Sequence, residues 1–421
     1  MRVLWFTNTP SLAAGALNDN GNIGGWIAAL ETEVSKVDDI ELGVAFHYGV
    51  SEKKQFEIGR TKYYSFPYPN TGKGNLKGIF SRWRHDIEPA SIVDNYLEVV
   101  NKFNPDIIHI FGTENAFGLV IEKVKVPAII QIQGNLSVYE KKWFSGLSNF
   151  TILRYSGKKA VVRAYGLWHL YFLFRKRAAR EREIMKHCSY FIGRTDWDRR
   201  ISGVLSPGRI YFHCDELIRT EFYKSEHWEK PKNPRIRLLS TLSAMSYKGL
   251  ETVLETAESL KKSELLDIEW RIVGIKGSEE IVQIIEKAYQ RKFVDYNVKF
   301  IGNQGPDALI SELLCANCYI HPSHIENSPN SVCEAMLLGM PVIATYAGGT
   351  SSLITNDVDG LLVQDGDPYS MAGAIYELCR NEKLISKISE NARLRALVRH
   401  NPETIISDLA SAYNKVLSDF S

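Results

Sequence analysis

Short apolar runs recur along the whole chain, bounded by Gly, Pro, Asn or Asp and separated by longer stretches with helical spacing of apolar residues. They predict strands over 2–7, 42–47, 61–66, 106–111, 127–132, 189–193 and 210–213. A second series covers 236–240, 268–274, 297–301, 318–321, 341–345 and 361–363. Strands of this kind, alternating with amphipathic helices, indicate β-α-β units and parallel sheets. Two series in one chain predict an α/β protein of two doubly wound, Rossmann-like domains. We assign 1–222 to the first domain and 223–400 to the second; the polar stretch Glu226–Pro234, with Pro231 and Pro234, reads as the linker region. The amphipathic stretch Glu403–Leu417 predicts a terminal helix within 401–421 that packs back on the first domain.

Composition narrows the function. A chain of 421 residues with 44% hydrophobic and 24% charged residues has enough apolar surface to fold as a globular protein. Lys and Arg total 51 against 49 Asp and Glu, which argues against a nucleic-acid partner. The six cysteines are scattered and no secretory-signal pattern opens the sequence, so a reduced, cytoplasmic setting is expected. No apolar stretch is long and charge-free enough to span a bilayer. Cys315 and Cys318 have metal-site spacing but lack a second pair, and Asp196/Asp198, Asp357/Asp359 and Asp365/Asp367 read as solvated loop acids. No metal and no cofactor are expected.

The charge balance hides one basic stretch. From Arg154 to Arg182 the chain also carries Lys158, Lys159, Arg163, Arg175, Lys176, Arg177 and Arg180, with Glu181 its only acid. Trp168, Tyr171 and Phe172 share a helical face within it. Two readings stay open: a cationic aromatic helix on an anionic membrane surface, making the protein peripheral at the inner face, or a helix packed on the first domain with a solvated cationic end.

The densest chemistry lies between His321 and Thr345. A strand end leads into a loop carrying Glu326, a helix starts near Asn330 with Glu334 one turn inside, and another strand starts at Pro341. A helix N-terminus beyond a strand end suits a phosphate, and carboxylates around it can accept hydrogen bonds from sugar hydroxyls. Pro322-Ser323, Glu326, Pro329-Asn330-Ser331, Glu334-Ala335-Met336 and Gly339-Met340-Pro341 are followed by Ala347-Gly348-Gly349-Thr350 and Asp359-Gly360. This pattern resembles the retaining family-4 glycosyltransferases (GT-B fold, glycosyl transferases group 1).

The resemblance implies two domains facing each other across a cleft and transfer of a sugar from a nucleoside diphosphate sugar to a glycan or lipid-linked glycan, as in surface polysaccharide biosynthesis. It assigns Glu326 to the donor sugar hydroxyls and Glu334 to the ribose. The amides of Asn330, Ser331 and Val332 fall to the diphosphate, Gly274 to the nucleobase, and Lys248 to the leaving diphosphate. A lysine suits the last role because departure of the nucleotide builds negative charge. The family commonly has an arginine five residues before this lysine, where this chain has Ser243; Arg194 is the candidate substitute, against an ion pair with Asp196 or Asp198.

In the first half, the glycine loop containing Gly24 and Gly25 resembles the family loop that lets backbone approach the donor phosphate. Gln133 stands where many members have histidine; it can hydrogen-bond but cannot act as a general base. Glu114, Gly134 and Asn135 are acceptor-site candidates, and His109, inside a strand, reads as a core histidine. The rival functions are a GT-B epimerase or phosphorylase, or a degenerate sugar-nucleotide-binding subunit, which Ser243 and Gln133 would favour.

Overall fold

The computed structural model describes residues 1–17, 25–49, 53–68, 76–232 and 235–420. The chain forms two compact units: Met1–Glu140 with Phe172–Arg219 and His400–Ser421, and Lys141–Tyr171 with Thr220–Arg399. The stretch 141–171, assigned from the sequence to the first domain, therefore clusters with the second. Its Trp143, Leu147 and Ile152 are buried, the Trp143 ring packs at a tilt against Tyr247, and the Leu167 amide donates to Glu280 at 2.8 Å.

The first unit holds β1 (Arg2–Thr7), β2 (Glu41–His47), β3 (Lys54–Ile58), β4 (Thr61–Phe66), β5 (Ile107–Phe111), β6 (Ala128–Gln131), β7 (Tyr190–Gly193) and β8 (Ile210–His213). They form one sheet in the order β3-β4-β2-β1-β5-β6-β7-β8, parallel except for the β3–β4 hairpin. The sequence reading lacked β3. Its polar, exposed residues hide it, and its signal was the two-residue Gly59-Arg60 turn, with Gly59 at φ +59°. The alternation of β1 divides the core: Val3 and Trp5 face one layer, Leu4 and Phe6 the other. The helix Pro402–Phe420 covers the Trp5 face with Ile405, Leu409, Ala412, Tyr413 and Val416. The Tyr413 hydroxyl accepts from Trp5 Nε1 at 3.0 Å and lies 2.6 Å from His109 Nδ1. His109 is fully buried, its pKa pushed down to about 3 by desolvation, as befits a core residue.

The second unit holds β9 (Ile236–Thr241), β10 (Ile268–Val273), β11 (Val298–Gly302), β12 (Cys318–His321), β13 (Val342–Thr345) and β14 (Leu361–Val363). Its sheet is all parallel in the order β11-β10-β9-β12-β13-β14. Near-continuous burial of β12 and β13 explains their unbroken apolar sequence. Among the described residues no helix is long and apolar enough to cross a membrane.

Candidate active site

In the second sheet β9 lies between β10 and β12, so the strand order reverses there. Doubly wound sheets bind ligands beyond the carboxyl ends of the strands at such a point. Lys248 follows β9 in the short turn Ser246–Lys248, and Glu326 follows β12. Two glycines bring the loops together. Gly249 has φ +73°, and a Cβ there would overlap the Pro322 carbonyl oxygen; Gly348 has φ +59°, and a Cβ there would overlap the Glu326 carbonyl oxygen. The Gly349 amide donates to that same carbonyl at 2.9 Å.

Lys248 Nζ and Glu326 Oε1 form an ion pair. Ser323 Oγ lies 3.4 Å and His321 Nε2 3.8 Å from the same oxygen. Burial alone would raise the Glu326 pKa, but the Lys248 ammonium, helped by the Ser323 hydroxyl, outweighs it and holds the carboxyl below its ordinary value. His321 is buried and its pKa is pushed down to about 4 by desolvation, so it stands neutral beside the pair.

One residue missed in the sequence is His324, two positions before Glu326. Its amide donates to the Tyr247 carbonyl at 2.9 Å, and its Nε2 lies 2.5 Å from Glu251 Oε1. Its Nδ1 lies 3.5 Å from Asp365 Oδ2, which Lys142 approaches to 3.4 Å. Burial opposes the charged imidazole, but the two carboxylates prevail and raise its pKa. His324 thus staples the Glu326 loop to the helix Leu250–Lys262 and to the loop after β14. Only its place inside the motif could have signalled it.

The predicted helix is present as Asn330–Leu337, with Pro329 at its N-cap and no side-chain cap. The Val332 amide already donates to the Pro329 carbonyl at 2.9 Å, which corrects its expected offer to a ligand; Asn330 and Ser331 precede it. Glu334 is buried one turn inside the helix. Tyr319 Oη accepts from the Thr241 amide at 3.2 Å and hydrogen-bonds Ser331, linking the helix start to the end of β9. Gly274 has φ +95°, and a Cβ there would overlap the Leu242 carbonyl oxygen, so backbone packing alone demands glycine. Ser243 is exposed in the loop after β9.

The first unit places its candidates at its own reversal, between β1 and β5. Asn8 Nδ2 donates to Glu114 Oε2 at 3.0 Å, and Asn115 Nδ2 donates to Asn8 Oδ1 at 2.6 Å. Desolvation raises the Glu114 pKa, and no cation is within ion-pair distance among the described residues. Gln133 is half-buried beyond β6. Gly134 precedes Asn135, whose carbonyl accepts from Val138 and Tyr139 at 3.0 Å each. The side-chain amide of Asn135 is buried and lacks a partner among the described residues. Glu181, the lone acid of the basic stretch, is fully buried. It accepts from Thr113 Oγ1 at 2.6 Å, Leu136 N at 3.0 Å and Ser137 N at 2.7 Å, although burial still raises its pKa.

Arg194 belongs to the first unit and departs from both expectations. It is buried; its Nη2 donates to the Ile132 and Gln133 carbonyls at 3.4 and 3.2 Å, its Nε lies 3.7 Å from Glu216, and it covers the Trp26 ring. Asp196 pairs instead with Arg199 at 2.9 Å, and Asp198 receives the Arg194 backbone amide at 3.0 Å. Gly25 starts the helix Gly25–Val34 at φ +48°, with no atom of the described residues within 4 Å of where a Cβ would stand, and Gly24 lies outside the described residues. The other acidic triplets also hold structure: Asp359 pairs with Arg395 at 2.9 Å, and Asp367 caps the helix Pro368–Arg380.

Residues 223–395 match the sequence model of the family described as glycosyl transferases group 1. The capsular polysaccharide biosynthesis glycosyltransferase CapM of Staphylococcus aureus is 27% identical over 172 residues, 35% of this chain and 45% of CapM. The chain spans about half the length of the curated relatives it matches. Sucrose-phosphate synthase from Thermosynechococcus elongatus superposes with a TM-score of 0.71 over 100% of both chains at 15% identity. HepE of Anabaena, solved with UDP and glucose, gives 0.63 over 98% of this chain and 99% of that one, also at 15% identity. Lys248, Glu326 and Glu334 all lie inside the region that matches the glycosyl transferases group 1 model, and the chain has the GT-B fold.

Proposed function

We propose that this protein is a retaining glycosyltransferase. It moves a sugar from a nucleoside diphosphate sugar to a glycan or lipid-linked glycan in surface polysaccharide assembly, without a metal or cofactor, in the reducing cytoplasm. The observation that carries this reading is the buried Lys248–Glu326 pair at the strand-order reversal, directly before the helix bearing Glu334. HepE, a structural neighbour with the same fold, was solved with UDP, which supports a uridine-type donor.

In this reading Glu326 accepts hydrogen bonds from donor sugar hydroxyls, Glu334 from the ribose, and the Asn330 and Ser331 amides meet the diphosphate. The bond from the anomeric carbon to the diphosphate oxygen breaks, and Lys248 offsets the charge that develops on that oxygen. The acceptor oxygen bonds to the same face of the anomeric carbon and its proton passes to the departing phosphate. Gln133, in the first unit, can hydrogen-bond a hydroxyl but cannot take a proton.

A panel of nucleotide sugars, assayed for slow protein-dependent hydrolysis, tests the donor class. One donor should be turned over, and Glu326→Ala should lower that rate at least about 100-fold while the melting profile stays cooperative. Equal rates in Glu326→Ala and the parent chain would defeat the assignment.

A further inference from the structure

The two halves of the basic stretch have different fates. In the C-terminal half, the cations meet carboxylates from other elements of the first unit. Arg180 pairs with Glu88 at 2.5 Å and Arg177 approaches Glu88 at 3.7 Å, while Arg175 and Arg182 approach Glu140 at 3.8 and 3.6 Å. Lys176 donates to the Arg84 carbonyl at 2.6 Å. That half is used up in holding the fold.

The part that clusters with the second unit is different. No Asp or Glu occurs between Glu140 and Glu181. The helices Asn149–Tyr155 and Lys158–Val162 expose Arg154, Lys158 and Lys159, and no carboxylate is within ion-pair distance of these three among the described residues. Arg154 instead lies over the Phe150 and Tyr155 rings. Large apolar side chains stand out beside these cations: Phe150 and Val162 are each 68% exposed, Tyr165 is 46% exposed, and Leu153 and Leu170 are also exposed. Exposed apolar side chains occur elsewhere too, among them Phe80, Val204 and Val398, but here they stand beside cations without acids, and the segment buries Ile152, Ala160, Ala164 and Leu167 as its inward face. The outward face is therefore apolar and cationic together, with no acid of its own.

We infer that residues 149–170 form a docking surface for an anionic lipid bilayer, with Phe150, Val162 and Tyr165 entering the headgroup boundary and Arg154, Lys158 and Lys159 meeting lipid phosphates. Charge selects this occupant. A protein partner would need to supply an acidic surface and cover exposed rings at once, whereas the boundary of an anionic bilayer offers negative charge and apolar depth together. The contact site thus moves away from Arg175–Arg177, whose side chains are engaged by Glu140, the Arg84 carbonyl and Glu88. The inference is independent of the transferase reading, because vesicle binding involves neither donor nor acceptor.

The test is co-sedimentation of the full chain with phosphatidylcholine vesicles and with vesicles containing about a third phosphatidylglycerol. Binding is expected only to the anionic vesicles and should weaken steeply between 50 mM and 500 mM salt. Arg154→Ser/Lys158→Ser/Lys159→Ser should reduce the partition coefficient on the order of 100-fold. Phe150→Ser/Val162→Ser should reduce it about tenfold and flatten the residual binding into a purely salt-sensitive form. Arg175→Ser/Lys176→Ser should change it less than about twofold. Sedimentation velocity without lipid checks the rival occupant, a second copy of the chain. Absent binding to anionic vesicles at low salt, equal binding to both vesicle types, or loss only in the Arg175/Lys176 variant would overturn the inference. A lipid-free dimer dissolved by Phe150→Ser/Val162→Ser would overturn it as well.

Discussion

Both sheets of this protein carry a glutamate just past the point where strand order reverses, Glu326 buried and Glu114 half-buried, and the two are treated in opposite ways. In the second unit Glu326 is clasped by Lys248 and its acidity is increased; in the first, Glu114 receives a neutral amide from Asn8 and its acidity is decreased. Topology delivers a carboxylate to the same place twice, and the neighbour on the adjacent loop decides what it can do. A carboxylate held charged can receive hydroxyl protons and balance a cation. One that retains its proton more readily can itself donate a hydrogen bond. The difference matches a division into a side that binds a reactive donor and a side that recognises hydroxyls.

The strongest way to break this comparison is to remove each partner. Lys248→Met leaves Glu326 buried without its counter-charge, which should cost about 3 kcal/mol of stability and on the order of 100-fold or more in turnover. Asn8→Ala removes two hydrogen bonds, to Glu114 and from Asn115, and should cost about 1–2 kcal/mol. Denaturant titration of both variants measures the gap. Equal losses would mean that Lys248 and Glu326 gain nothing from being charged together.

The glycines sharpen the same contrast. Gly348→Ala combines a positive φ with overlap on the Glu326 carbonyl, so it should cost about 2–3 kcal/mol and displace Glu326, lowering turnover by at least about tenfold. Gly25→Ala in the first unit has a positive φ but no atom of the described residues within 4 Å of the added Cβ, and should cost only about 1 kcal/mol. Melting curves and initial rates on the two variants decide this.

These contrasts also mark what the sequence could reveal. Glu326, Glu334 and Lys248 stood out as candidates because they fall within short motifs, and strand ends position such motifs reproducibly. Apolar runs announced β1, β12 and β13 because strands buried on both faces leave no room for polar residues. The polar edge strand β3 was hidden for the converse reason. Position 141–171 was misassigned because chain continuity suggested the first domain, whereas Trp143, Leu147 and Ile152 cluster with the second. Partners distant in sequence were the hardest to foresee: Arg194 found Glu216 and two carbonyls rather than the nearby aspartates, and Glu181, conspicuous among cations, turned away from them to accept amides.

The gentlest test uses protons alone. Because the folded pKa of Glu326 lies below its unfolded value near 4.3, its contribution is fully present above that value and is lost as pH falls through the folded pKa. Glu326→Gln should therefore destabilise most at neutral pH, and its deficit should shrink under acid conditions. Glu114 has the opposite sign. Its folded pKa is raised, so above the unfolded value the unfolded chain releases a proton that the folded chain keeps, and stability falls as pH rises through that window. Glu114→Gln, which can still accept from Asn8, removes this cost and should gain stability at pH 7, with the gain fading as pH falls toward 4. Thermal melts of both variants across this range should give difference curves of opposite slope. Parallel slopes would mean that the two carboxylates share one electrostatic setting, and the distinction between the two sheet ends would fail with them.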